Sequence, residues 1–343
     1  MIADAGMNRA GLKVNGPSVR ALAAKWVTRI LGLTLAVAAS LLAFPGGIPW
    51  MIAFWLLWAT IGLARARGGV FPLAVCAAIV LLKRAPWAPG LGLLAGVATS
   101  AAAAAWLARR SEDRRAARPI VGLGIAAVWF AWLVIAIDWT ASAHGTRRLA
   151  LVPGRPVVCL GDSMTSMGGA QGGYPEALAR LVSIPVVNLG QPGITSRQAM
   201  ALLPHLEAAD PQVVVLELGG NDFVQGQSRA AVRENLDRLI RASLKQGAEV
   251  VLVEIPRGYI SDPYWAIERE LARHYALELV PDTAIRRLLL SSPTMPPGQW
   301  TRGPYLTQDD GLHPNARGNR LLAEYVAAAL ERMYGPAVRR EHE

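Results

Sequence analysis

Four short motifs in the second half of the chain contain the residue types that nucleophilic catalysis requires. In chain order they are Gly161-Asp162-Ser163, Asn188 with Gly193, Gly219-Gly220-Asn221-Asp222, and Asp310-Gly311-Leu312-His313. Together they supply a serine nucleophile, an acid–base pair and hydrogen-bond donors for a developing oxyanion. The combination predicts acyl transfer through a serine ester.

Ser163 is the predicted nucleophile, and His313 is its predicted base. A serine hydroxyl is weakly nucleophilic until a neighbouring base accepts its proton. Asp310, three residues before His313, can orient one ring nitrogen and leave the other for Ser163. Asp309 is an alternative orienting residue, although we prefer Asp310.

Three donors are predicted for the oxyanion. The backbone N–H of Ser163 opens the segment after a strand, and Gly193 can bring its N–H close because it lacks a Cβ. The side-chain amide of Asn221 is the third donor. Asp162 and Asp222 are expected to fix turns and cap helices rather than take part in the chemistry. No Cys and His cluster has metal-ligand spacing, so no metal or cofactor is expected.

The elements that must hold these motifs alternate between apolar runs and amphipathic segments after residue 150. Predicted strands cover 157–160, 185–189, 212–218, 249–255 and 277–280, and predicted helices cover 174–183, 196–208, 228–246, 263–275 and 316–334. Continuous apolar runs fit strands that are buried on both faces. The alternation predicts an α/β domain with a parallel sheet, whose carboxyl edge gathers the first three motifs.

The four motifs resemble those of a known family. Residues 155–335 resemble the SGNH (GDSL) hydrolases, and Leu216–Asp222 and Gln308–Asn315 are especially similar to the arylesterase/thioesterase/lysophospholipase subgroup. The Gly-x-Ser-x-Gly elbow of the α/β-hydrolases is absent around Ser163. In that subgroup a glycine lies five residues after an asparagine, which corresponds to Gly193 here and not to Gly190.

The resemblance implies a flavodoxin-like, three-layer α/β/α fold. It also implies that Ser163 is the nucleophile, that Asp310 and His313 are its partners, and that Gly193 and Asn221 donate to the oxyanion. Met164 stands where the subgroup usually has leucine, which leaves the chemistry unchanged. The larger departure is residues 1–150, because members of the subgroup are typically soluble or carry only a signal peptide.

The first half of the chain has the composition of an all-α membrane region. Apolar runs cover 26–44, 48–64, 69–82, 88–108 and 119–141, and four of them have the length of a bilayer span. The third run is short, and a re-entrant segment is an alternative for it. A cleaved signal peptide within residues 1–40 is a competing interpretation.

The number of spans determines the side on which the second half lies. The net charge of +10 arises in the first half, where basic residues separate the apolar runs, as in membrane loops rather than nucleic-acid grooves. Five spans place the Arg109–Arg118 cluster in the cytoplasm, in agreement with the positive-inside rule, whereas four would place it outside. We therefore expect a multi-pass inner-membrane protein with a cytoplasmic N-terminus and an extracytoplasmic, periplasmic hydrolase domain.

The predicted domain organisation follows from this topology. It comprises a basic segment (1–25), a membrane domain (26–141), a linker (142–154), the hydrolase domain (155–335) and a tail (336–343). The predicted function is hydrolysis of an O-acyl ester of a lipid or envelope glycan, with no nucleic-acid partner. An acyltransferase with the same residues and a catalytically inactive membrane assembly module are the alternatives.

Overall fold

The computed structural model describes most of the second half of the chain and parts of the first. The described ranges are 48–64, several residues between 122 and 136, 144–145, 149–166, 172–255, 263–264, 266–289, 306–310 and 312–340.

Five strands in these ranges form one parallel sheet in the order β2-β1-β3-β4-β5. They are β1 (Val157–Gly161), β2 (Val186–Asn188), β3 (Val213–Glu217), β4 (Glu249–Val253) and β5 (Glu278–Val280). This is the strand order of flavodoxin-like sheets, in which ligands bind where the order reverses, beside β1 and β3. The parallel α/β fold predicted from the sequence is confirmed.

Helices precede, connect and follow these strands. They are α1 (Ile48–Ala64), α2 (Ser163–Ser166), α3 (Tyr174–Leu181), α4 (Leu203–Ala209), α5 (Gly220–Val224), α6 (Arg229–Lys245), α7 (Ile267–Tyr275), α8 (Asp282–Leu289) and α9 (Ala316–Tyr334). Short 3₁₀ helices cover Gln198–Leu202 and Pro336–Val338. Compared with the prediction, the helix expected over 196–208 begins as 3₁₀, and α2, α5 and α8 were not foreseen.

The sheet is covered on both faces, because successive strand side chains point to opposite sides. On one face Val157, Cys159 and Val215 pack with side chains of α3, α8 and α9. On the other, Val158 and Leu216 pack with α4, α6 and α7. All of these strand side chains are almost fully buried. The result is three layers, helix–sheet–helix, with the first three motifs at the carboxyl ends of the strands.

The described linker residues run along the opposite, amino edge of the sheet. The Gly145 N–H donates to the carboxylate of Glu278, the first residue of β5, over 2.8 Å. The Leu149 N–H donates to the Met333 carbonyl over 2.8 Å, near the end of α9. The Val152 N–H bonds the Gln212 side chain, just before β3. The chain therefore enters the hydrolase domain at the edge that faces away from the motifs.

The apolar first half is described in two places. The run 48–64 forms α1, and the Trp129 indole donates to Thr60 Oγ1 over 3.0 Å, so α1 contacts a helical part of the fifth run. Among the residues that the structure describes, no helix is both apolar enough and long enough for a bilayer crossing. The predicted runs 26–44, 69–82 and 88–108 lie outside the described residues.

Candidate active site

Ser163 lies at the carboxyl edge of the sheet, as the first residue of α2 and two residues after β1. Asp162 stabilises the turn that carries Ser163. The Asp162 carboxylate accepts from the Met164 N–H at 3.0 Å, and its carbonyl accepts from the N–H groups of Thr165 and Ser166. Ser163 is half-buried there. The turn keeps the side chain close to the surface at the edge where substrates bind in such sheets.

Gly161, the last residue of β1, has no room for a side chain. A Cβ at this position would lie 1.9 Å from Thr165 Oγ1 and 2.7 Å from the Glu217 carbonyl oxygen. Glycine is required here because α2 packs so closely on the end of the strand.

His313 and Asp310 are brought together in the turn before α9. The distance from His313 Nδ1 to Asp310 Oδ2 is 2.5 Å, and Asp310 Oδ1 accepts from the N–H groups of Leu312 and His313 at 2.9 Å each. Partial burial alone would raise the pKa of Asp310, but these hydrogen bonds outweigh it and lower the pKa below its usual value. The ring therefore contacts Asp310, the residue preferred from the sequence, rather than Asp309.

The predicted oxyanion donors follow β1, β2 and β3 and lie at the same carboxyl edge of the sheet. Gly193 has φ +78°, and a Cβ there would meet no atom within 4 Å. This left-handed conformation favours glycine. The Asn221 amide donates one hydrogen to Asp162 Oδ2 over 3.0 Å, which leaves its second hydrogen for another acceptor.

The structure does not join the nucleophile directly to its predicted base. Within the described part of the chain, the Ser163 hydroxyl forms no hydrogen bond with His313 or any other group. His313 nevertheless lies within electrostatic range of Asp162, the residue before Ser163. Burial raises the pKa of the Asp162 carboxyl, and a charge on His313 opposes that rise. Catalytic hydrogen bonds are often long without substrate and shorten in the reacting complex.

A buried carboxyl group beneath the nucleophile turn was missed by the sequence analysis. Glu217 is 1% exposed, and its Oε2 accepts from the Thr165 hydroxyl at 2.8 Å and the Asp162 N–H at 3.3 Å. Burial and the neighbouring charge of Asp162 raise the pKa of Glu217 well above its ordinary value. The available signal was an acidic residue that ends the otherwise apolar strand β3.

Asp222 has a different role from the turn or cap expected of it. Its carboxylate is fully buried and accepts from the Ser196 N–H at 2.7 Å and the Ser196 hydroxyl at 2.6 Å. Ser196 lies three residues after Gly193, and Asp222 directly follows Asn221. Asp222 therefore connects the Gly193 loop to α5, the two segments that carry these predicted oxyanion donors.

The second half of this chain is similar to known proteins. Residues 159–321 match the model of the GDSL-like Lipase/Acylhydrolase family. An arylesterase of Vibrio mimicus is 31% identical over 153 residues, which cover 43% of this chain and 70% of that protein. Thioesterase 1/protease 1/lysophospholipase L1 of Escherichia coli strain K12 is 30% identical over 152 residues, which cover 43% of this chain and 67% of that protein. The crystal structure of TesA matches 52% of this chain and 99% of its own, with 26% identity and a TM-score of 0.43.

Proposed function

Since this chain belongs to the GDSL-like lipase/acylhydrolase (SGNH) family of ester hydrolases, we propose that Ser163, His313 and Asp310 form its catalytic triad. In this proposal Ser163 Oγ attacks the carbonyl carbon of an ester while His313 Nε2 accepts the hydroxyl proton. Asp310 holds the opposite ring nitrogen, Nδ1, and stabilises the imidazolium that forms.

The negative charge that develops on the carbonyl oxygen needs donors fixed in advance. We assign these donors to the N–H groups of Ser163 and Gly193 and to the Asn221 side chain. His313 then returns its proton to the leaving alkoxide, and the acyl group stays on Ser163. A water molecule, deprotonated by His313, attacks this ester, releases the carboxylic acid and restores the serine hydroxyl.

The observation that carries the proposal is the contact between His313 Nδ1 and Asp310 Oδ2 at 2.5 Å. A carboxylate on Nδ1 selects the tautomer in which Nε2 is free to accept a proton. The His313 side chain is 18% exposed, so the ring is largely enclosed yet still open to a substrate.

Replacing Ser163 by alanine tests the assignment. We expect S163A to fold normally, to lose labelling by a fluorophosphonate probe, and to retain no more than the weak background that binding and oxyanion donors provide. Ser166→Ala, three residues along the same short helix, is the matched control and should keep activity near that of the wild type. Hydrolysis of p-nitrophenyl acetate by S163A at a wild-type rate would exclude Ser163 as the nucleophile.

We further propose that the apolar first half anchors the enzyme in the inner membrane, with the hydrolase domain outside the cytoplasm. The support is the five apolar runs and the basic cluster Arg109–Arg118, which the positive-inside rule assigns to the cytoplasm. In α1 and the fifth run, Leu57, Ile61, Phe130 and Leu133 are exposed, as expected of side chains that face lipid. The proposed substrates are O-acyl esters of lipids or envelope glycans.

A reporter fused after residue 343 tests this topology. Alkaline phosphatase should be active there, because five spans bring the C-terminus outside the cytoplasm. A fluorescent protein that matures only in the cytoplasm is the complementary reporter and should stay dark. The reverse pattern would indicate an even number of spans, and it would exclude envelope glycans as substrates while leaving the assignment of Ser163 intact.

A further inference from the structure

The proposed oxyanion donors come from different segments: Gly193 lies in the loop after β2, and Asn221 lies in α5, which follows β3. Their usefulness depends on spacing, because donors must meet one oxygen atom at hydrogen-bond distance from both sides. On its β2 side, the Gly193 loop is held by the Gln191 N–H, which donates to the Gly161 carbonyl over 3.0 Å. Gly193 itself is in a left-handed conformation with open space where a side chain would be.

Asp222 supplies a restraint between the Gly193 loop and α5. Its Oδ2 accepts from the Ser196 N–H at 2.7 Å, and its Oδ1 accepts from the Ser196 hydroxyl at 2.6 Å. The Asn235 amide of α6 donates to the Ser196 oxygen over 3.1 Å, so a helix also holds the pair. Bonds to a charged acceptor are short and strong, and burial strengthens them further.

The backbone of Asp222 is held as well as its side chain. Its carbonyl accepts from the Gln227 N–H at 2.9 Å and from the Tyr264 hydroxyl at 3.2 Å. Since Asp222 directly follows Asn221, this anchoring also fixes the start of α5 that presents the Asn221 amide. Both Asp222 oxygens are occupied by Ser196, and the residue is fully buried, so it has no route to the substrate.

We propose that Asp222 is a positioning residue that holds the Gly193 loop against Asn221 and thereby sets the spacing of the two oxyanion donors. The proposal rests on the assignment of Gly193 and Asn221 as those donors. If Asp222 has this role, its loss slows the chemical step and leaves binding of the ground-state ester unchanged. A displacement of about 1 Å in such a site costs up to about 10²-fold in rate.

The test compares Asp222→Ala with Asp222→Asn in the full-length protein, using p-nitrophenyl acetate. D222A removes both acceptors of Ser196, and we expect kcat to fall by about 10²-fold while KM changes by less than about threefold. D222N keeps the shape and one acceptor oxygen, so it should recover a large part of this loss. Ser196→Ala, which keeps the backbone bond, should give a smaller decrease in kcat than D222A.

A trifluoromethyl ketone provides a readout that a purely structural role would leave unchanged. It forms a tetrahedral adduct with a serine and places an oxyanion between the same donors. Its inhibition constant should therefore weaken in D222A by about the same factor as kcat/KM. Asp237→Ala is the matched control, because Asp237 is another buried aspartate, located on α6, that accepts from the hydroxyl of Tyr275 at the end of α7. It should lower thermal stability and leave kcat unchanged.

The outcomes separate the two proposals. If D222A keeps its kcat, or loses kcat without weakening the ketone, while S163A is inactive, the positioning role is wrong and the catalytic assignment stands. If S163A remains active, the catalytic assignment itself fails. If D222A does not fold, S196A and D222N decide the question by the same two measurements, and unchanged kcat in both would overturn the positioning role.

Discussion

Glu217 lies below the nucleophile turn, where its carboxyl group accepts from the Thr165 hydroxyl and the Asp162 backbone N–H. The side-chain carboxylate of Asp162 is a negatively charged neighbour. Burial favours its neutral form, and the neighbouring carboxylate adds to this preference. Because the folded-state pKa is raised, the folded protein retains a proton that the unfolded chain releases above its ordinary value near 4.5. The contribution of protonated Glu217 to the free energy of unfolding is therefore complete below that pH and is lost as the pH rises through the folded-state pKa.

We expect Glu217→Gln to remove this pH dependence. The amide cannot ionise, so the stability of E217Q relative to wild type should improve above about pH 4.5, by at most about 1.4 kcal/mol per pH unit. Urea unfolding at several values between pH 5 and pH 8 measures the difference. Glu234→Gln, on the exposed surface of α6, is the control and should follow the wild-type curve. Parallel curves for E217Q and wild type would show that Glu217 is ionised in the folded protein.

At this scale the sequence predicts the groups that react but not the groups that support them. Ser163, Asp310 and His313 stand in short motifs whose residue types are sufficient to suggest their roles. The bond between Asp222 and Ser196 joins residues 26 positions apart, so only the folded chain reveals it. The role of Glu217 could not be predicted, because the sequence does not show that its side chain turns towards Asp162 rather than towards solvent.

Helix α9 links the proposed acid–base pair to the core. Asn315 is its N-cap and accepts from the N–H groups of Arg317 and Gly318 at 3.0 and 3.1 Å. The Asn315 amide also donates to the Thr307 carbonyl over 2.9 Å, across the turn that contains His313. The cap therefore stabilises the helix and the turn together.

Two cap substitutions distinguish these effects. Asn315→Ala and Ser228→Ala each remove a side-chain cap, which typically costs about 1 kcal/mol of stability. Only N315A also loosens the His313 turn, so we expect it to lower kcat several-fold while S228A, at the start of α6, leaves kcat unchanged. Thermal unfolding and ester hydrolysis on the same preparations measure both quantities. An equal kcat in the two variants would mean that the turn keeps its geometry without the cap.

The elements that were predicted well are those with strong local patterns. Strands β1, β3 and β4 consist mainly of consecutive apolar residues, and α6 and α9 are long and amphipathic with clear caps. Helix α8 is eight residues long and buries Ala284, Ile285 and Leu288 in the core beside α9. Such a short helix is stabilised mainly by tertiary packing, which a local pattern does not reveal.

For the whole molecule, the described linker residues are bonded to the hydrolase domain. Glu278 is buried and bonds Gly145, His144 and Arg332, so these linker residues complete a polar cluster at the amino edge. Both hydrophobic clusters of the sheet lie within residues 149–338. Because a domain with its own core can fold alone, we expect this one to fold without the apolar first half.

We therefore expect fragments 142–343 and 150–343 to fold and to hydrolyse a short soluble ester at similar rates. The shorter fragment loses the bonds of Gly145 and Leu149 at the amino edge, so its melting temperature should be lower. Circular dichroism on heating and p-nitrophenyl acetate hydrolysis make the comparison. Two folded but inactive fragments, beside an active full-length protein, would mean that the first half contributes to the site.

The entry of the chain at the amino edge also decides how the enzyme performs on a solid support. The strands separate this edge from Ser163 by about 16 Å, the length of five extended residues. A bead coupled ahead of His144 therefore leaves the catalytic edge open to bulk solvent. Coupling through Leu312→Cys, at an exposed position beside His313, turns that edge towards the bead. Thiol coupling of fragment 142–343 is selective, because burial raises the pKa of its native Cys159 to about 12. The two attachments should give the same enzyme opposite access to a polymeric substrate.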